Sequence, residues 1–173
     1  FLLSPHNPRI VYHGMNQLYR SWNLGDRFER ISPDLTHDDE TTMGDIPFHT
    51  LTALSESPLQ FGVIYAGTDD GLAHVTRDGG KSWGEIVQGL ASERWVSRVE
   101  ASRFAPGTVY LAQNGKRHDD FTAYLWRSTD YGATWENIAA GIPCGPINVV
   151  REDPAKAEIL YVGTDLGVYV TTD

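Results

Sequence analysis

Two stretches of this chain concentrate groups that can move protons, hold charge or grip a ligand. Thr36-His-Asp-Asp-Glu-Thr-Thr-Met-Gly-Asp-Ile-Pro47 carries His37, Asp38, Asp39, Glu40 and Asp45, and Asn114-Gly-Lys-Arg-His-Asp-Asp120 carries Lys116, Arg117, His118, Asp119 and Asp120. Two further acids, Asp69 and Asp165, lie in the short turns Gly67-Thr-Asp-Asp-Gly71 and Gly163-Thr-Asp-Leu-Gly167. Two carboxyl groups on one face are what hydrolysis of a glycosidic bond needs, about 6.5–9.5 Å apart for inversion or about 5 Å apart for retention. Charged loops also have plainer uses, because ionisable residues keep loops solvated and Asp-x-Gly is an ordinary hairpin turn. Arg94 and Trp95, in Ala91-Ser-Glu-Arg-Trp95, are candidate ligand contacts, although a tryptophan in this context is more often a core residue. The acids and histidines show no diagnostic metal-ligand spacing, so neither a metal nor a cofactor is expected.

The elements that must position these residues repeat. A proline followed by an apolar segment ending in tyrosine recurs as Pro5–Tyr12, Pro58–Tyr65, Pro106–Tyr110 and Pro154–Tyr161. Each is followed by a polar box: Ser21-Trp-Asn23-Leu-Gly25-Asp-Arg-Phe28, Thr76-Arg-Asp78-Gly-Gly80-Lys-Ser-Trp83, Ser128-Thr-Asp130-Tyr-Gly132-Ala-Thr-Trp135, and the opening of a fourth at Thr171-Thr-Asp173. A period of roughly 40–55 residues fits four short strands per unit and is too long for a leucine-rich solenoid. The reading is an all-β chain: a β-propeller of four-stranded antiparallel blades, about 3.75 of them, over residues 1–36, 48–90, 95–141 and 146–173. In the second blade the strands read as Thr50 to Ser55, Phe61 to Gly67, Leu72 to Thr76 and Trp83 to Val87. Within each box the acid can accept backbone N–H bonds across a tight turn. The glycine permits positive φ, and the aromatic can pack back under its hairpin. Asp78 and Asp130 are therefore structural rather than catalytic or metal-binding residues.

Strand reversal assigns the faces. The A-to-B and C-to-D turns of every blade share one end, and the B-to-C and D-to-A connections share the other. The boxes sit at C-to-D turns, so 36–47, 69–71, 91–95, 114–120 and 165–167 belong to the opposite face. The connection after the first box and the loop after Tyr110 are both longer than their counterparts, the first by about ten residues, and long polar loops on a rigid scaffold are where binding resides.

The pattern Ser/Thr-x-Asp-x-Gly-x-Thr/Ser-Trp resembles the Asp box of bacterial neuraminidase-type repeats, and the resemblance covers the whole chain. The first box departs from it, with Asn23 for Asp and Arg27-Phe28 for Thr-Trp. Such boxes occur in sialidases, two-propeller xyloglucanases, sortilin-like receptor propellers and a photosystem assembly factor, so the box names a fold and not a function. The overall similarity is to bacterial glycosyl-hydrolase-like or sortilin-like repeat proteins. It implies a ligand-binding or interaction scaffold for glycan or protein. The alternative is part of an inverting xyloglucanase-like glycoside hydrolase, in which Asp69 and Asp165 match the Thr-Asp-x-Gly segment of a catalytic aspartate. The sialidase Arg-Ile-Pro segment is absent, Arg9-Ile10-Val11 being its nearest relic. The resemblance also implies an extracytoplasmic or secreted location.

Composition bounds the rest. Hydrophobic residues make up 40% of the 173, enough to bury a core. The 14 Lys and Arg are scattered and the net charge is -9, so nucleic acid is not an expected partner. No apolar run reaches the length of a membrane span. Cys144, the single cysteine, has no partner for a disulfide. An array that opens at a first strand and stops inside a box cannot close on itself. The expectation is therefore that the outer flanks of the first and fourth blades pack against another polypeptide, a second copy or the rest of a larger propeller.

Overall fold

A computed structural model describes residues 1–39, 41, 48–143 and 145–171. Glu40, Asp45, Cys144 and the last two residues of the fourth box lie outside the described residues. Four antiparallel sheets follow one another, each built from strands adjacent in sequence. The first contains β1 (Leu2–Leu3), β2 (Val11–Gly14), β3 (Leu18–Ser21) and β4 (Glu29–Arg30). The second contains β5 (Leu51–Glu56), β6 (Ile64–Thr68), β7 (Ala73–Thr76) and β8 (Gly84–Glu85), and the third β9 (Trp95–Ala101), β10 (Val109–Asn114), β11 (Tyr124–Ser128) and β12 (Glu136–Asn137). Among the described residues the fourth sheet has three strands, β13 (Ile147–Glu152), β14 (Leu160–Thr164) and β15 (Val168–Val170).

The cores lie between blades. Tyr12, Leu18, Ile31 and Ile64 pack between the first and second sheets, and Tyr65, Ala73, Ile86, Val96 and Leu111 between the second and third. Strand β6 is buried at every position because Ile64 faces one neighbour and Tyr65 the other, which explains its unbroken apolar run. It starts later than its sequence suggests. Phe61 and Gly62 form a turn closed by Val63 N–H donating to the Gln60 carbonyl, and Phe61 stays exposed.

Strands β5, β9 and β13 lie beside one another, each with a register shift at Thr52, Ser97 and Asn148. A bulge re-aims the extra residue. The Thr52 hydroxyl donates to the Val96 carbonyl at 3.0 Å, and the Ser97 hydroxyl donates to the Ile147 carbonyl at 2.6 Å, so each bulge ties its blade to the next.

Each box closes as the residue types require. Thr76 Oγ1 donates to Asp78 Oδ1 at 2.9 Å and accepts from Gly80 N–H at 2.9 Å, while Lys81 and Ser82 N–H donate to Asp78 Oδ1 at 3.0 and 2.9 Å. Ser128, Asp130, Gly132 and Thr134 repeat the arrangement. Ser21, Asn23, Gly25 and Arg27 repeat it with an amide oxygen as the acceptor. These donors hold the Asp78 and Asp130 carboxyls well below the usual range, led by the Ser82 and Thr134 hydroxyls.

The box aromatic does something its sequence did not suggest. Rather than packing only under its own hairpin, Trp83 reaches the preceding blade and donates its indole N–H to the Ile31 carbonyl at 2.8 Å; Trp135 donates to the Ile86 carbonyl at 2.8 Å. The box glycine belongs to the same joint. Gly80 has φ +96°, and a Cβ there would sit 2.5 Å from the Ile31 carbonyl oxygen; at Gly132 it would sit 2.7 Å from Ile86 Cδ1. Phe28, with no indole N–H, is 42% exposed.

Trp135→Phe, which leaves the Ile86 carbonyl without its donor, is expected to lower unfolding free energy by about 1 kcal/mol. Trp135→Ala is expected to cost about 3 kcal/mol and Phe28→Ala under about 1 kcal/mol, measured by urea unfolding.

Candidate functional site

The β6–β7 turn carries two adjacent buried acids, and its local bonds explain how. Thr68 N–H donates to the Leu72 carbonyl at 2.9 Å and Leu72 N–H donates to Thr68 Oγ1 at 2.8 Å, while the Thr68 hydroxyl donates to Asp70. Gly71, at φ +95°, lets the turn press on the backbone of Glu93 and Arg94, where a Cβ would approach to 2.9 Å. Asp69 and Asp70 are 3% and 4% exposed, so each carboxylate must find donors.

Asp70 draws the long connection onto the turn. Its Oδ2 accepts from His37 N–H at 2.8 Å and pairs with His49 Nδ1 at 2.6 Å. Burial pushes the Asp70 carboxyl up, but the bonds from Thr68, His37 and His49 outweigh it and hold the carboxyl below its ordinary value. Burial likewise pushes His49 down, and the Asp70 carboxylate more than reverses this, favouring the imidazolium. Asp69 Oδ1 accepts from Thr50 N–H at 2.8 Å at the start of β5.

The loop after β10 arrives from the other side as a single 3₁₀ turn, Lys116–His118. Its consecutive cations reach different blades: Lys116 Nζ lies 2.9 Å from Asp165 Oδ2, and Arg117 Nη1 lies 3.7 Å from Asp69 Oδ2. Asn148 Nδ2 also donates to Asp165 at 2.8 Å, and Lys116 leads in holding that carboxyl below its usual value. The Arg117 guanidinium carbon lies 5.2 Å from the Trp95 ring centroid and 5.8 Å from that of Phe48. Arg94 Nε donates to Asp120 Oδ2 at 2.8 Å, and Tyr124 OH donates to the same oxygen at 2.8 Å.

Between these loops lies a cavity of about 400 Å³ lined by His37, Asp39, Phe48, His49, Asp70, Glu93 and His118. Of the residues singled out from sequence, His37, Asp39 and His118 line it, Arg117 lies over its Phe48 wall and over the Trp95 ring, and Lys116 lies beside Asp165. Arg94 turns instead to Asp120. Asp38 and Asp119 are exposed and outside the lining; both have left-handed φ, 50° and 55°, the geometry of turn residues. Asp70, His49, Glu93 and Phe48 were not singled out. Asp70 was visible beside Asp69, whereas His49 meets it only through the fold. Among the described residues no cluster of three or more His, Asp or Glu is disposed to hold a metal ion. Asp78 and Asp130 are on the opposite end of their sheets, at the β7–β8 and β11–β12 turns.

No family model matches the chain. It is 29% identical over 131 residues to the vacuolar protein sorting/targeting protein 10 of Laccaria bicolor, which covers 68% of this chain and 8% of that protein. It is 28% identical over 134 residues to sortilin of Rattus norvegicus, 71% of this chain and 15% of that one. The chain thus spans a small part of the curated relatives it matches. In solved structures, the GH74 xyloglucanase from Xanthomonas campestris superposes on 99% of this chain with a TM-score of 0.76 at 21% identity, using 28% of its own length. The fold is that of a β-propeller. YCF48 bound to D1 peptide also matches, over 92% of this chain and 49% of its own, with a TM-score of 0.53 and 17% identity.

Asp70→Asn is expected to destabilise the protein by about 2–3 kcal/mol near neutrality, because it leaves a buried imidazole and the His37 N–H poorly matched. The Asp70 pKa is depressed on folding, so its contribution is present above the ordinary carboxylate pKa and is lost as pH falls through the folded value. The raised His49 pKa contributes below the ordinary imidazole value and is lost as pH rises through the folded one. Urea unfolding of both proteins from about pH 3 to about pH 9 should therefore show the largest gap between those limits and a smaller one at each end.

Proposed function

We propose that the face opposite the boxes is a ligand-binding surface for a glycan or a protein segment, with the blades as its scaffold. The observation that carries this reading is the cavity of about 400 Å³ lined by His37, Asp39, Phe48 and His49 on one side and His118 on the other, where imidazole, carboxylate and aromatic groups meet. Concave sites with a few convergent polar groups beside aromatic walls are the usual form of ligand pockets. Neighbours of the same fold lend support: one is a xyloglucanase and another is bound to D1 peptide.

The second reading is half of a glycoside hydrolase site using Asp69 and Asp165. Both acids are on this face and are linked through consecutive cations, which favours it. Against it, Lys116 favours the ionised form of Asp165, so that group suits a base better than the proton donor the reaction also needs.

The blade flanks extend the first reading. Tyr12, Tyr65 and Tyr110 are buried by the blade that follows each, whereas Tyr161, Val168 and Val170 are 40%, 73% and 50% exposed. We assign that flank, and the first blade's, to contact with another polypeptide, in line with the way each internal blade is covered.

Binding of the protein to arrays of xyloglucan oligosaccharides and of extended peptides, followed by calorimetry on the hits, tests the reading. Glu93→Ala and His118→Ala should weaken binding about tenfold without lowering the melting temperature, and Lys81→Ala on the box face should leave it unchanged. Equal effects from both faces would contradict the assignment. Turnover of xyloglucan that Asp69→Ala and Asp165→Ala abolish would favour the hydrolase.

A further inference from the structure

Arg117 is the least firmly held arginine of the ion pairs among the described residues. Arg94, Arg20 and Arg127 approach their carboxylates to 2.8, 2.7 and 2.7 Å, whereas Arg117 stays 3.7 Å from Asp69, beyond hydrogen-bonding distance, on a side chain 45% exposed. The place it occupies is better built than its own fit. Asp69 presents a carboxylate only 2% exposed, whose hydrogen bonds come from the backbone and hydroxyl of Thr50. Phe48 and Trp95 offer ring faces to the same guanidinium at 5.8 and 5.2 Å, near the outer limit at which a cation is attracted by a ring. Phe48 is shared with the cavity next to it, and His118, the residue after Arg117, lines that cavity too.

We propose that Phe48, Trp95 and Asp69 form a binding site for a guanidinium group carried by a ligand, and that Arg117 occupies it as a built-in competitor. This rests on the reading of the face as a ligand-binding surface and names the chemistry it recognises. A ligand guanidinium free of the loop backbone can sit deeper between the rings and place two N–H groups on Asp69 in the parallel fork that a carboxylate accepts. The remainder of the ligand then extends into the cavity beside His37, Glu93 and His118. The net charge of -9 favours the approach of a cation. Arg117 must leave first, so the affinity of the unaltered protein is reduced by the fraction of molecules in which the cage is open.

Arg117→Ala, titrated with methylguanidinium chloride by isothermal calorimetry, tests this directly. The expected result is saturable binding about tenfold or more tighter than to the unaltered protein, lost in Arg117→Ala/Asp69→Asn and much weaker with methylammonium. N-acetylarginine amide binding more tightly than methylguanidinium would identify an arginine side chain of a peptide; equal binding would identify a small guanidine compound. A variant that keeps its circular dichroism and melting transition but binds no guanidinium would overturn the proposal, as would binding indifferent to Asp69→Asn. Should Arg117→Ala fail to fold, Arg117→Gln removes the cation and keeps a donor, and the same titrations decide. Capture of a glycan or peptide by the unaltered protein without guanidinium binding by the variant would remove the cage and leave the proposed face. Guanidinium binding without such capture would do the reverse.

Discussion

The joint between successive blades is the interaction on which the rest of this structure depends. An indole N–H from one blade's box meets the backbone carbonyl of the residue that follows the preceding blade's last strand, at Trp83–Ile31 and Trp135–Ile86, and a glycine without a Cβ lets the two backbones close. A hydrogen bond of this kind contributes about 1 kcal/mol net, but leaving the carbonyl buried and unpaired costs more, so the joint is directional as well as adhesive. At the inner edge the bulged Thr52 hydroxyl joins the second and third blades, the pair that Trp135 also links, and the bulged Ser97 hydroxyl joins the third to the fourth. Between the second and third blades the two linked points together set both the spacing and the rotation of the sheets. With those fixed, the connections at the other end have to converge.

Convergence brings charge into a partly dry space, and the carboxylates govern what happens there. Asp69 and Asp70 are adjacent in sequence and similarly buried, yet they serve different neighbours: Asp70 collects the histidine-bearing connection from the first blade, while Asp69 anchors the start of β5 and faces the third blade's arginine. Asp70 accepts from Thr68, His37 and His49, whereas among the described residues Asp69 accepts from Thr50 alone and its cation stands 3.7 Å away, so the first is a fixed post and the second leaves room for a better-placed cation. The asymmetry separates the part of the face that holds the loops from the part that can exchange partners.

Much of this architecture was legible in the residues because its signals are local. The box bonds run within a few residues, and Thr76, Asp78 and Gly80 take the roles their side chains dictate. The apolar segments ending in Tyr12, Tyr65 and Tyr110 become strands buried between sheets. The opposite face was also legible, since strand reversal alone sends the described parts of the two longer connections there. The blade joints were not read, although an isoleucine stands three residues after each box aromatic, at Ile31, Ile86 and Ile138. Its carbonyl matters only once a second blade is placed against it. His49 and Phe48 escaped for the same reason: they meet Asp70 and Arg117 through the packing of blades rather than through spacing.

Asp69 and Asp70 draw the connections of this face into one ordered site, and amide hydrogen exchange reads that directly. His37 N–H donates to Asp70 and Thr50 N–H to Asp69. Both amides should exchange far more slowly than that of exposed Asp38, and Asp70→Asn should release His37 while leaving the box amides of Gly80 and Gly132 protected. Exchange of His37 at the rate of an unstructured loop in the unaltered protein, or no response to Asp70→Asn, would contradict it.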